Sequence, residues 1–160
     1  MTDFYGDSSV LVKRHVSEIG SNWFKTLTAP ANANIIITSR ISIIEVYSAL
    51  NRRVREASIN ATDYSQIAAD VASIYQSEYR IIELTLDIAN RARLLLERYA
   101  LRAYDAVQLA SSLAVNDALR ASGLAATVFL ASDNRLLAAA QSEGLVTDNP
   151  NNYPKKTDGR

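Results

Sequence analysis

At 160 residues, 48 % of them apolar, the chain is sized for one domain with a core of its own, which excludes disorder except at the ends. It has no cysteine, which excludes a disulfide framework, a thiolate zinc site and a cysteine nucleophile. Seventeen basic residues balance seventeen acidic ones, which excludes a strong overall basic field for nucleic acid.

Thirteen of the basic residues are Arg, the residue suited to bidentate phosphate contacts. A local Arg-lined groove and ordinary helix-surface pairing of Arg with Glu and Asp are both open. The first residues carry no basic-then-apolar signal, and no apolar run approaches the length that spans a membrane. The expected setting is the cytoplasm, with no membrane contact.

Asp3-Phe4-Tyr5-Gly6-Asp7 reads as a short strand ending in a carboxylate, with Ser8-Ser9 as an N-cap for the apolar run that follows. Residues 17–27 are predicted helical, with Ile19, Trp23, Phe24 and Leu27 on one face. Pro30 and the Asn/Ala run after it make a loop. Asn34-Ile35-Ile36-Ile37-Thr38 is a β-branched run, the mark of a buried parallel strand. Residues 42–57 form a helix whose faces differ: Ile43, Val46, Tyr47, Leu50 and Val54 share one, Ile41, Glu45, Ser48 and Arg52 the other. A Glu between Ile and Ser on a largely apolar helix is not a plain solvent Glu. Residues 62–77 repeat the helical pattern through Tyr64, Ile67, Val71 and Ile74, so the two make a helical hairpin joined near Ser58-Ile59-Asn60.

Residues 79–84 are a third strand and residues 86–99 a helix. The next helix opens at Leu101-Arg102-Ala103-Tyr104-Asp105 and runs to about Ala121. At 100° per residue, Ala106, Leu109, Ala110 and Leu113 form its apolar arc, and Asp105, Ser112 and Asn116 a polar strip along the border with solvent. Thr127-Val128-Phe129-Leu130-Ala131 is a fourth strand. Ser132-Asp133 caps a helix over residues 134–142, which Gly144 ends. Leu145-Val146-Thr147 is a fifth, edge strand, and the tail from Asp148 is expected to be loose.

Strands alternating with helices argue for a central, mostly parallel sheet of four or five strands with helices on both faces. In such sheets functional residues gather at the carboxyl ends of the strands. Asp7 and Asp133 sit at such ends, and Glu45 and Asp105 near the starts of helices aimed at the same edge. Clustered carboxylates repel one another unless a cation holds them together. An all-oxygen set, in a chain with no Cys and one His, suits Mg²⁺ or Mn²⁺ rather than zinc, and such ions support phosphodiester hydrolysis. Each acid also has a structural alternative: Asp7 in a turn, Glu45 paired with Arg52 or another Arg, Asp105 suiting a helix start, Asp133 as an N-cap alone.

Four stretches together carry a family resemblance. Phe4-Tyr5-Gly6-Asp7-Ser8-Ser9-Val10-Leu11-Val12-Lys13 resembles the opening of PIN domains. Ser42-Ile43-Ile44-Glu45-Val46-Tyr47-Ser48-Ala49-Leu50, Arg102-Ala103-Tyr104-Asp105-Ala106-Val107-Gln108-Leu109-Ala110 and Leu130-Ala131-Ser132-Asp133-Asn134-Arg135-Leu136 resemble their second, third and fourth acidic motifs, in order and at fitting spacing. The length is similar to that of VapC-type toxins of toxin–antitoxin pairs.

The resemblance implies an α/β, PIN-like three-layer sandwich over residues 1–150 with a loose tail over 151–160. It implies a metal-dependent endoribonuclease in which Asp7, Glu45, Asp105 and Asp133 hold Mg²⁺ or Mn²⁺ and serve the chemistry. Ser9 and Ser132 would orient water or a carboxylate. RNA would be the substrate and a cognate antitoxin protein the partner; a homodimer is an open arrangement. The rivals are a PIN nuclease in RNA or DNA processing without a toxin role, and a non-catalytic nucleic-acid or protein binding module. Gly6 departs from the usual apolar residue and is expected to weaken the first strand. His15 is read as a surface or capping residue, Trp23 and Phe24 as core or docking surface, Tyr104 as packing, and Lys155-Lys156 as solvated.

Overall fold

The structure is a computed structural model and describes residues 2–154. Five strands form one sheet: β1 (Asp3–Gly6), β2 (Ile35–Ser39), β3 (Tyr79–Ile82), β4 (Val128–Leu130) and β5 (Val146–Asp148). Their order is β3-β2-β1-β4-β5 and every pairing is parallel. The chain therefore builds outward from β1 to β3, then returns to the other side of β1 for β4. That reversal is a topological switch point, and crevices for ligands open there, beyond the carboxyl ends of β1 and β4.

Period-two alternation sends neighbouring residues to opposite faces. Tyr5, Ile37 and Phe129 pack under α5 (Leu86–Arg98), α6 (Ala103–Ala121) and α7 (Asn134–Ser142). Tyr5 and Phe129, paired in register, stack with centroids 5.7 Å apart. Ile36 and Leu130 face the other way, into a second core with α1 (Ser8–Leu11), α2 (Ser21–Leu27), α3 (Ser42–Arg55) and α4 (Ala61–Ser77). Helices on both faces of one parallel sheet make the three-layer sandwich that the sequence pattern implies. Among the described residues no helix is long and apolar enough to cross a membrane.

Four expectations need correction. The helix predicted from residue 17 starts only at Ser21, and Ile19 is exposed. The cause is Lys13, whose ammonium is buried and needs three acceptors. It finds them in Glu18 Oε1 (2.9 Å), the Ile19 carbonyl (2.7 Å) and Asn151 Oδ1 (2.9 Å), and residues 17–19 wrap it instead of coiling. Nor is the tail loose from Asp148. Asp148 ends β5, a 3₁₀ turn follows at Pro150–Asn152, and Tyr153 stacks on Trp23 at 4.5 Å. Residues 155–160, with Lys155 and Lys156, lie outside the described residues.

Of the polar strip of α6, Asp105 does border solvent, but the rest does not. Ser112 and Asn116 are buried, and Asn116 Oδ1 accepts from both the N–H (2.8 Å) and the hydroxyl (3.0 Å) of Thr127, fastening α6 to the approach to β4. Gly6 does not loosen β1, which is paired on both sides. A Cβ there would come within 3.1 Å of Leu11 Cδ2, so the glycine lets α1 fold back closely on the strand.

Gly20 offers a test of the wrap around Lys13. It adopts φ +82°, and a Cβ would fall 2.4 Å from the Pro150 carbonyl oxygen, which is backbone and cannot step aside. Gly144 has a similar φ of +86° with nothing within 4 Å. Gly144→Ala should thus cost only the left-handed strain, about 1–2 kcal/mol. Gly20→Ala should cost clearly more, roughly 3 kcal/mol, because a clash is added to the strain. Urea denaturation of both variants checks this; equal losses would mean that the contact with Pro150 relaxes freely.

Candidate active site

Asp7 is the residue on which the site is built. Its N–H bonds the Leu130 carbonyl (3.1 Å), fixing it between the ends of β1 and β4. It, and not Ser8 or Ser9, caps α1, because the chain turns into helix directly after the strand. Its Oδ1 accepts from the Val10 N–H (3.3 Å) and from the Ser9 hydroxyl (2.5 Å). Both donors use that one oxygen, and Oδ2 has no donor among the described residues. The Ser9 hydroxyl in turn accepts from the Ser132 N–H (2.9 Å), so one serine ties the two strand ends together. The side chain is buried, and burial first, then the neighbouring charges of Glu45 and Asp105, push its carboxyl up to about 7 despite the Ser9 hydrogen bond.

Glu45 lies in the first turn of α3, where free N–H groups favour negative charge. It does not pair with Arg52. Its Oε2 accepts from the Ser8 hydroxyl (2.9 Å) and its Oε1 from the Gln108 amide (2.9 Å). Burial raises its carboxyl above the usual range, Gln108 and Ser8 pull it back, and Asp105 raises it again. Asp105, half-buried in the first turn of α6, is raised by burial and by Asp133, against the Arg102 N–H. Asp133 caps α7 as the sequence suggests. A small burial penalty there is outweighed by the Arg135 N–H (2.7 Å), the Arg135 guanidinium and the Leu136 N–H, which hold the carboxyl low.

All four acids, with Ser8, Ser9 and Ser132, line one open cavity of about 700 Å³ at the switch point. Its wall also carries Arg52 and Arg102, neither of which has a carboxylate at ion-pair distance among the described residues. Tyr104, expected to pack, is instead half exposed and lines the same cavity. The Ser132 hydroxyl is buried without a hydrogen-bond partner among the described residues. Among the described residues no three acidic or histidine side chains close into a ready-made cage for an ion. The donor set fits an open oxygen site in which a hard cation keeps part of its water shell.

The sequence pattern passes over Ser8 and Gln108. Ser8 follows Asp7 directly and reads only as a cap. Gln108 is three residues after Asp105, hence on a neighbouring part of the same helix face. His15 stands apart from this cavity. Burial, then the Arg14 charge, push its imidazole down to about 4, so it is neutral near pH 7 and no proton shuttle for the acids. It lines a second cavity of about 440 Å³, with Ile59 and Ile67 of the helical hairpin region.

Comparison with known proteins sets this geometry in context. The PIN domain family model matches residues 4–144. Ribonuclease VapC45 of Mycobacterium tuberculosis is 32 % identical over 140 residues, spanning 88 % of this chain and 90 % of that protein. Among solved structures, Mycobacterium tuberculosis VapC20, described as a sarcin–ricin-loop-cleaving toxin, superposes with a TM-score of 0.60 at 21 % identity, covering 85 % of this chain and 94 % of that one. VapBC2 from Rickettsia felis, bound to a promoter DNA fragment, gives a TM-score of 0.61 at 13 % identity, covering 92 % and 98 %. At those identities the two structures speak to the fold.

Proposed function

We propose, from the premise that this chain belongs to the PIN-domain family, that it is a VapC-type toxin endoribonuclease that hydrolyses RNA phosphodiester bonds with the help of Mg²⁺ or Mn²⁺. The observation that carries the reading is the convergence at the switch point. Asp7, Glu45, Asp105 and Asp133 come from four separate segments into one cavity, and Asp7 is buried there among like charges. Such a cluster is held at a cost in stability that a folding role alone does not explain.

The residues fit a divalent cation. Among the described residues Asp7 Oδ2 meets no donor and Ser132 Oγ no partner, and every candidate ligand is oxygen. Asp7, Glu45 and Asp105 would be the principal ligands and Asp133 would complete the set. When bound, the cation supplies Lewis acidity, making water more acidic and stabilising charge on phosphate oxygens. The chain's own groups do the rest. Ser9 holds the Asp7 carboxylate in place. Arg52 and Arg102 receive the phosphates that flank the scissile one, and the exposed Tyr104 ring offers a face on which a base can stack.

The partner in this reading is a cognate antitoxin protein. Its segment lies along the α3–α4 hairpin, where Ile44 is exposed beside the acids and Ile59 lines the second cavity, and it covers the site. The deciding experiment is cleavage of single-stranded and structured RNA by the pure protein. Cleavage with Mg²⁺ or Mn²⁺ that EDTA stops is expected. Cleavage of DNA alone would replace this reading by a DNA-processing nuclease, and RNA binding without cleavage by a non-catalytic module.

A further inference from the structure

Gln108 is the least expected polar group near the acids. It is 1 % exposed, on the inward side of α6, where leucine would fill the space without a polar cost. A buried amide must place two donors and one carbonyl. Here the carbonyl Oε1 accepts from the Tyr5 phenol (2.8 Å), and Nε2 donates to Glu45 Oε1 (2.9 Å). Tyr5 is itself fully buried in β1. A carboxylate only accepts, so the N–H end of the amide must face Glu45 and the carbonyl end faces Tyr5. The phenol hydrogen satisfies that carbonyl and holds the amide in this orientation. Glu45's second oxygen is held by Ser8 from the opposite side. The carboxylate is thereby gripped between the start of α1 and the body of α6, and its remaining lone pairs stay free.

We infer that Gln108, oriented by Tyr5, is a positioning residue that sets the Glu45 carboxylate for a divalent cation, acting through Glu45 and touching neither cation nor substrate. The inference rests on the metal reading proposed above. Groups that hydrogen-bond ligating carboxylates fix their orientation, and losing one typically weakens metal binding by about 10- to 100-fold. The amide differs from a mere core filler in one respect: its effect passes through Tyr5, so the two residues must be coupled.

The test is Mn²⁺ titration followed by electron paramagnetic resonance, alongside thermal melting without metal. Gln108→Met keeps the length and removes both hydrogen bonds; it should weaken Mn²⁺ binding about tenfold or more. Tyr5→Phe should weaken binding less in the parent, and not at all in the Gln108→Met background. Gln108→Met that melts lower yet binds Mn²⁺ within about twofold of the parent overturns the inference, since the amide is then only structural. So does a Tyr5→Phe loss that is the same in both backgrounds. Should Gln108→Met fail to fold, Tyr5→Phe alone decides, and unchanged affinity overturns it. A parent protein that binds no Mn²⁺ overturns the metal reading itself, and this inference with it.

Discussion

Asp105→Asn is expected to slow RNA cleavage by about 10³-fold or more, a loss in the range seen when a key transition-state stabiliser is removed, without lowering the stability of the metal-free protein. The amide keeps the shape and hydrogen-bonding reach of the carboxylate, so the first turn of α6 should persist. What is lost is the charge that a hard cation requires. Asp105 is half-buried, and burial and then the Asp133 charge already hold its carboxyl above the usual range. Removing its charge relieves repulsion, so the metal-free mutant should melt at or above the parent temperature. Added Mg²⁺ or Mn²⁺ should raise the melting temperature of the parent and barely move the mutant. Equal shifts in both would strike Asp105 from the ligands.

The acids were legible in the sequence because each stands at a kind of place that parallel topology delivers to one edge. Asp7 and Asp133 follow apolar strands, and Glu45 and Asp105 open helices. Alternating strands and helices are enough to aim those places the same way. The strand order was not legible. Nothing in the pattern says that the chain reverses after β3 and lays β4 beside β1, and it is this reversal that sets Ser132 against Ser9. The misplaced start of α2 has a related cause. Ile19 fits a helical apolar face by spacing, but the need of the buried Lys13 ammonium for acceptors overrides local preference, and one of those acceptors comes from Asn151, far along the chain. Gln108 is passed over, and Asn116 is set at a solvent border, because a helical wheel sorts residues by polarity. It cannot see that the Tyr5 phenol and the Glu45 carboxylate will satisfy both ends of the Gln108 amide, or that Thr127 will meet the Asn116 carbonyl with both its N–H and its hydroxyl.

Asp7→Asn is expected to raise the melting temperature of the metal-free protein by roughly 5–10 °C at pH 8 and to change it little at pH 4. An unfolded Asp titrates near 3.8, whereas folding pushes Asp7 up to about 7, through burial first and then Glu45 and Asp105. The folded state therefore holds this proton more tightly than the unfolded one. Its stabilising effect is full below the unfolded value, falls as pH rises from about 4 towards 7, and is gone above that. The gap of about 3 units corresponds to roughly 4 kcal/mol, an upper bound since relaxation of the cavity takes up part of it. Asn carries no such charge, so the mutant lacks the Asp7 part of this slope and keeps only the shallower part that the raised carboxyls of Glu45 and Asp105 contribute. The exchange is sterically mild: Oδ1 already takes both donors, from Val10 and Ser9, and the new NH₂ replaces Oδ2, which has none among the described residues. Melting curves at pH 4, 6 and 8 in EDTA decide the matter, and parallel profiles for parent and mutant would mean that Asp7 titrates as an ordinary aspartate. Repeating them with Mn²⁺ should close the gap from the parent's side, because the cation stabilises the ionised carboxylate that the mutant lacks. Expressed alone, the parent is expected to stop growth, whereas the same substitution should yield a protein that accumulates well, folds more firmly and lets growth continue.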